Sequence, residues 1–200
     1  MRHLGFPILL AAAIASAAAC SSAGPAGTGP SATRSPPSPA AVPGPSASMP
    51  AASCDTGTWR TGSESVTRQV TIPPVPVLTA LRTASHPECG YDRLVLDVSG
   101  ALPGYAIGYV RQVTADPSGQ PVTVPGQAIL LVTVRPAQAH TDAGTATISG
   151  GTRELGYRML AGWAQAGDFE GVVRLAVGVR SATAFRVGEL PGRVYIDIKW

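Results

Sequence analysis

The sequence predicts an all-β fold: an antiparallel β-sandwich of about seven or eight short strands in residues 54–200, preceded by a signal peptide and a disordered linker. Three observations carry that prediction. From Cys54 onward, short runs rich in Val, Ile, Leu, Thr and Tyr alternate with turn signals, and 23 Gly and 19 Pro disfavour long helices. Val194, Ile196 and Ile198 alternate with Arg193, Tyr195, Asp197 and Lys199, the period-two pattern of a half-buried strand. Ile129–Val134 is apolar on both faces, which marks a central strand.

Residues 1–20 read as an export signal ending at a lipobox cysteine. Arg2 supplies the positive start, Leu4 to Ala15 the apolar stretch, and Ala17-Ala18-Ala19 the small residues a signal peptidase accepts. The apolar run is shorter than the ~20 residues that span a hydrocarbon layer about 30 Å thick. Cys20 follows directly, where a thiol receives diacylglycerol through a thioether before cleavage exposes the new amino terminus. Two or more acyl chains anchor durably, whereas one binds only marginally. The expectation is a protein attached to the outer face of the cytoplasmic membrane by lipid on Cys20. Ala17 departs from the lipobox pattern, which has Leu there, and the alternative is cleavage at Ala19 and secretion.

Residues 21–53 are built almost wholly from Ser, Ala, Gly, Pro and Thr, with Arg34 the only charge and eight Pro in 33 residues. Such a stretch cannot bury enough apolar surface to fold, so a disordered linker with a mean reach of about 30 Å is expected.

The remaining 147 residues suffice for a self-sufficient core. Strands are expected at 65–72, 77–85, 93–99, 105–113, 128–135, 153–160, 172–179 and 193–199. Pro103-Gly104 and Asp116-Pro117-Ser118-Gly119 punctuate them as turns. The stretch 153–165 is ambiguous: Leu155, Met159, Leu160 and Trp163 also fit a helical stripe, so strand and short helix both stand.

With Cys20 committed to lipid, Cys54 and Cys89 remain, and an even pair in an oxidising compartment is expected to form a disulfide. Closing a loop of that length contributes about 3–4 kcal/mol in the chain-entropy model. The alternative is a metal site of Cys54, His86, Cys89 and His140, because His-x-x-Cys has ligand-like spacing, although zinc sites offer tighter clusters. No metal and no cofactor is expected.

The sequence pI near 9.0 suggests a nucleic-acid partner until the charge is located. Residues 54–200 carry 13 basic and 12 acidic side chains and are close to neutral; Arg2 and Arg34 supply the rest of the formal +3. Nucleic-acid binding needs clustered cations to displace counterions, no cluster stands out along the chain, and no nucleic-acid partner is expected. Catalysis finds little support either. Gly-x-Ser-x-Gly is absent, and Gly100, Gly104 and Gly108 flank a strand and open no phosphate-cradling helix. Asp168 and Glu170 stand at i, i+2 and can share a strand face, but a solvated turn ahead of Val172 accounts for them as well. No catalytic residue is expected, and a hydrolase is the minor alternative.

A series of landmarks spans about residues 66–200: Gly90-Tyr91-Asp92-Arg93-Leu94-Val95-Leu96-Asp97, Pro103-Gly104-Tyr105, Tyr109-Val110, Asp168-Phe169-Glu170-Gly171, Phe185-Arg186-Val187 and Pro191-Gly192-Arg193-Val194-Tyr195-Ile196-Asp197. In these the domain resembles the AMIN-like domain of exported lipoproteins and secreted proteins of high-GC Gram-positive bacteria. The related AMIN domain is a two-sheet β-sandwich that targets cell-wall amidases to the envelope. The resemblance therefore implies a non-catalytic envelope module with peptidoglycan or another wall polymer as ligand. No amidase domain accompanies it in these 200 residues, so binding without wall hydrolysis is implied.

Polar residues within the landmarks suggest how binding would occur. Arg82 and Arg93 can fork onto carboxylates of a wall peptide, and Tyr91, Tyr105 and Tyr109 can stack on sugar rings. The competing possibility is internal: Arg93 or Arg193 pairs with Asp97 or Asp197 and orders strand ends. A second function class also stands, an assembly subunit of an envelope complex that adds a strand to a protein partner through an exposed sheet edge.

Overall fold

The computed structural model describes Cys54 and residues 57–200. The signal peptide, Cys20 and the 21–53 linker lie outside the described residues. Twelve strands follow one another: β1 (Glu64–Val66), β2 (Val77–His86), β3 (Tyr91–Ser99), β4 (Gly104–Val110), β5 (Val113–Thr114), β6 (Pro121–Val122), β7 (Ala128–Arg135), β8 (Thr152–Glu154), β9 (Leu160–Phe169), β10 (Val172–Val179), β11 (Phe185–Leu190) and β12 (Arg193–Lys199). All nine pairings between them are antiparallel. No helix occurs among the described residues, so none there is long and apolar enough to cross a membrane.

The strands form a six-stranded sheet, β1-β4-β7-β10-β9-β8, a four-stranded sheet, β11-β12-β3-β2, and the small β5-β6 ribbon. The two large sheets face each other as a sandwich. Leu94, Leu96, Ile196 and Ile198 of the four-stranded sheet share one core cluster with Leu130, Val132, Leu175 and Val177 of the six-stranded sheet. Ile129–Val134, expected to be central, lies in β7 in the interior of its sheet. Its odd partners Ile129 and Leu131 meet a second, smaller cluster on the outer face, where the ribbon and the following loop fold back over Ala164, Ala166 and Ala176. The approach is close enough that a Cβ on Gly178 would strike the Pro125 carbonyl.

The expected strands at 77–85, 93–99, 128–135, 172–179 and 193–199 are present, whereas four features differ. The first strand ends at Val66 rather than Ile72, and residues 67–72 run on without a ladder to Pro73-Pro74. The expected 105–113 strand breaks after Val110 and resumes as the ribbon. In 153–165 the helix alternative falls and the expected 153–160 strand is not continuous: β8 ends at Glu154, the chain is irregular through Met159, and β9 begins at Leu160. β11 completes the four-stranded sheet with a strand that the sequence pattern did not reveal.

Buried Asp92 joins the layers. Its carboxylate accepts the Met159 N–H at 2.6 Å, the Leu160 N–H at 3.0 Å and the Ser85 hydroxyl at 2.8 Å. The side chain is fully buried, so the start of β9 on one sheet is fixed to β3 on the other.

Candidate functional site

Alternation along β3 and β12 sends Leu94, Leu96, Ile196 and Ile198 inward and Arg93, Asp97, Tyr195 and Asp197 to the outer face of the four-stranded sheet. Antiparallel register sets the outward residues side by side: Arg93 opposite Asp197, Arg193 opposite Asp97, Tyr91 opposite Lys199. From β11, Arg186 stands opposite Asp197, and from β2 Arg82 reaches Asp97.

Two carboxylates organise the cations. Asp197 accepts Arg93 Nε at 2.6 Å, a second Arg93 N–H at 2.8 Å and Arg186 Nε at 2.8 Å. Asp97 accepts two donors from Arg82, one at 2.7 Å, and Arg193 Nε at 2.9 Å. The hydrogen bond from Arg82, and less strongly that from Arg193, holds the Asp97 carboxyl below its ordinary value, and the same bond raises Arg82. The bond to Asp197 likewise raises Arg93. The clusters differ in depth: the side chain of Asp197 is 0 % exposed and that of Asp97 20 %.

Aromatic rings interleave with these cations. The Arg93 guanidinium carbon is 4.0 Å from the Tyr195 ring centre and 5.1 Å from that of Tyr91. That of Arg186 is 4.9 Å from Tyr91 and 4.5 Å from Trp59, and Lys199 Nζ lies 5.7 Å from Trp59. The row runs Tyr195, Arg93, Tyr91, Arg186, Trp59, with favourable cation–π spacing throughout. Tyr195 lies flat because position 188 across the ladder is Gly; any Cβ there would overlap its ring.

Of the five residues singled out from the sequence, Arg82, Tyr91 and Arg93 come together on this face, with Tyr91 buried and both Arg93 and Arg186 against its ring. Tyr105 and Tyr109 do not. Tyr105 packs between the sheets and donates to Glu189 at 2.9 Å, and burial, followed by that carboxylate, pushes its phenol up. Tyr109 packs edge-on against Phe185 and donates to the Thr183 carbonyl at 2.9 Å. Tyr105 is buried and Tyr109 half-buried, and both lie on β4 of the six-stranded sheet, away from this face. The internal pairing of Arg93 with Asp197 and of Arg193 with Asp97 is present. Each carboxylate takes an additional arginine, Arg186 or Arg82, that the linear pattern did not assign to it.

The face also holds Trp59, Arg186, Tyr195 and Lys199, which the sequence did not single out. Tyr195 and Lys199 were visible as the polar side of the β12 alternation. Trp59 had no such signal. It arrives from a segment that joins the edge of β11 through two backbone hydrogen bonds of 2.8 Å between Arg60 and Phe185.

Cys54 and Cys89 form a disulfide, with Cα atoms 5.5 Å apart. Both thiols of the alternative metal site are thereby spent. His86 instead stacks near Tyr91 with ring centres 4.8 Å apart, and His140 Nδ1 lies 2.7 Å from Asp168 Oδ2. Asp168 also accepts the Ala139 N–H at 3.1 Å, which ties the 139–140 loop to β9 and separates its role from that of Glu170 in the turn. Among the described residues no group of three His, Cys, Asp or Glu side chains is placed to hold a metal ion.

Residues 76–200 match the family model described as the AMIN-like domain. No curated protein and no solved structure matches the chain. The match takes in β2 to β12, hence both carboxylate clusters, and begins after Trp59 and β1.

Proposed function

The chain belongs to the AMIN-like domain family, and from that premise we propose that it is a non-catalytic binding module that holds a cell-envelope component, with a wall polymer such as peptidoglycan as ligand. The observation that carries the reading is the outer face of the four-stranded sheet, where Arg82 and Arg193 stand about half exposed on Asp97 and Arg93 lies between the rings of Tyr91 and Tyr195. Guanidinium groups fork onto carboxylates and rings stack on sugars. Asp97 engages two of the five N–H donors of Arg82 and one of those of Arg193, so donors on each remain for a ligand.

Export supports the same reading. A disulfide persists in an oxidising compartment, and lipid on Cys20 with the 21–53 linker would hold the 54–200 domain within reach of the wall. Secretion after cleavage at Ala19 would place it in the same layer without the anchor.

Co-sedimentation of the purified protein with purified cell wall tests this. The native protein should pellet with the wall, and Arg82→Ala/Arg193→Ala should pellet less while melting within about 1–2 °C of native, because exposed pairs add little stability. Equal pelleting of a folded double variant would sink the reading. One observation favours the assembly-subunit alternative: ten-residue β2 is an edge strand, beside a 390 Å³ groove lined by Thr79, Leu81, Thr83, Arg153 and Trp163. A protein crosslinked at β2, with no wall co-sedimentation, would decide for strand addition.

A further inference from the structure

The outer face of the four-stranded sheet concentrates charge that the domain as a whole does not have. Arg82, Arg93, Arg186, Arg193 and Lys199 face Asp97 and Asp197 there, five cations against two carboxylates, a local +3. Residues 54–200 carry 13 basic and 12 acidic side chains, so everything outside this face sums to −2. The most accessible cations lie along its rim: the side chains of Arg82 and Arg193 are 53 % and 49 % exposed, and Lys199 is exposed. Clustering like charges costs self-repulsion in the free protein, and an incoming anion relieves it. A neutral sugar would need only the rings.

Trp59 closes one end of the row. It lies outside the family match, yet three devices hold it: the two Arg60–Phe185 hydrogen bonds, the stack on Arg186, and the Cys54–Cys89 disulfide five residues earlier. The disulfide fastens the entry of the domain to the turn before Tyr91, so the segment carrying Trp59 runs beside the end of the face. Lys199 beside the indole supplies a cation at the same place.

Resting on the envelope-binding reading above, we propose that the ligand of this face is an anionic glycan, a polymer of sugar rings bearing carboxylate or phosphate groups, and that Trp59, positioned by the Cys54–Cys89 disulfide, contacts it. A sugar ring stacks at the half-buried Trp59, the end of the row, while the acidic groups of the polymer meet Arg82, Arg193 and Lys199. A single-stranded nucleic acid offers rings and anions too, but the disulfide places the domain where such polymers are not the standing partners.

The test measures binding of the purified protein to four soluble probes: polygalacturonate, a glycerol-phosphate teichoic acid, neutral dextran and a DNA oligonucleotide. One or both acidic glycans should bind, and the pair distinguishes carboxylate from phosphate. Affinity should fall as salt rises from 50 to 200 mM. Dextran should not bind, and DNA should bind more weakly than the better glycan. Trp59→Ala should weaken that glycan roughly three- to tenfold, with Trp59→Tyr recovering most of the loss. Cys54→Ser/Cys89→Ser should weaken it to a similar extent. Because Trp59→Ala also uncovers Arg186, the exposed variant Lys199→Glu serves as a check and should weaken the acidic glycan while remaining folded by near-UV circular dichroism. Dextran or DNA matching the acidic glycans, or Trp59→Ala and Lys199→Glu both binding as native, would overturn the inference. In those cases retained wall co-sedimentation leaves the module reading standing, and loss of wall binding by the native protein removes both.

Discussion

Asp197→Ala tests the depth difference between the two carboxylate clusters. Asp97 and Asp197 look alike: each lies on an outward position of a central strand, and each accepts three hydrogen bonds from two arginines. Solvent separates them. Asp197 is 0 % exposed and its partner Arg186 is 3 % exposed, whereas Asp97 is 20 % exposed beside arginines about half exposed. Removing Asp197 strands a buried guanidinium, which costs about 3–5 kcal/mol. For a domain near 150 residues, 1 kcal/mol moves Tm by roughly 3 °C, so Asp197→Ala should lower Tm by about 10–15 °C. Asp97→Ala loses only exposed pairs, about 1 kcal/mol or less, and should lower Tm by about 3 °C at most. The assay is thermal unfolding of both variants at neutral pH. A third variant, Arg186→Leu/Asp197→Leu, removes both buried charges and should recover much of the loss, since breaking a buried pair costs more than replacing it. Comparable Tm losses for the two single variants would refute the reasoning, because geometry without burial would then set the energy.

Four further outcomes are expected. Asp92→Ala leaves the buried N–H of Leu160 and the part-buried N–H of Met159 without their acceptor, at about 1–3 kcal/mol for the buried one; urea unfolding should show a lowered midpoint. Gly188→Ala places a Cβ in the Tyr195 ring; since that ring can swing outward, the cost should stay near 1 kcal/mol, while the near-UV circular dichroism of tyrosine changes. Acid should remove the Asp97 contribution. Its folded-state carboxyl titrates below the ordinary 3.8, so the stabilisation is complete above that value and disappears as pH falls through the folded one; melting curves of native and Asp97→Asn should therefore converge below about pH 3.8. Cys20→Ser should release the protein into the medium or leave an uncleaved precursor, as immunoblotting of membrane and medium fractions would show; unchanged processing and membrane retention would remove the lipid anchor.

What the sequence revealed follows from how each strand is covered. β3, β10 and β12 were legible because their inner faces are filled by Leu, Val and Ile. β9 was not. Its residues Gly162, Ala164, Ala166 and Gly167 are small because the 113–126 segment lies against them, and Ala-rich composition with Leu160 and Trp163 imitates a helix. β11 was hidden by its brevity and by Gly188, which is there for the Tyr195 ring rather than for a turn. In the candidate site, the arginines and aspartates carried a period-two signal that allowed both ligand binding and internal pairing. Register shows that pairing occurs, and exposure shows which arginines remain accessible. Trp59 could not be placed from the sequence, since its position depends on a disulfide and two backbone hydrogen bonds to a strand 125 residues away.

The two sheets treat their outer faces in opposite ways, and residue size encodes the difference. On the six-stranded sheet the outward positions of β9 and β10 are Ala164, Ala166, Ala176 and Gly178, which leave room for the chain itself to lie down as the β5-β6 ribbon and its following loop. That face is closed by backbone. On the four-stranded sheet the outward positions are Arg82, Arg93, Arg193, Tyr195 and Lys199, side chains too long and too charged for a covering loop. They instead cover one another by stacking and pairing, and Trp59 is a ring brought to them from outside the sheet. Stacked arginines keep their charge at a protein surface, because the guanidinium remains protonated beside a ring or a carboxylate. A face closed by its own chain has finished its packing. A face closed only by cations and rings is stable in water and still has charge to satisfy, which is the physical ground for proposing the binding role on the four-stranded sheet.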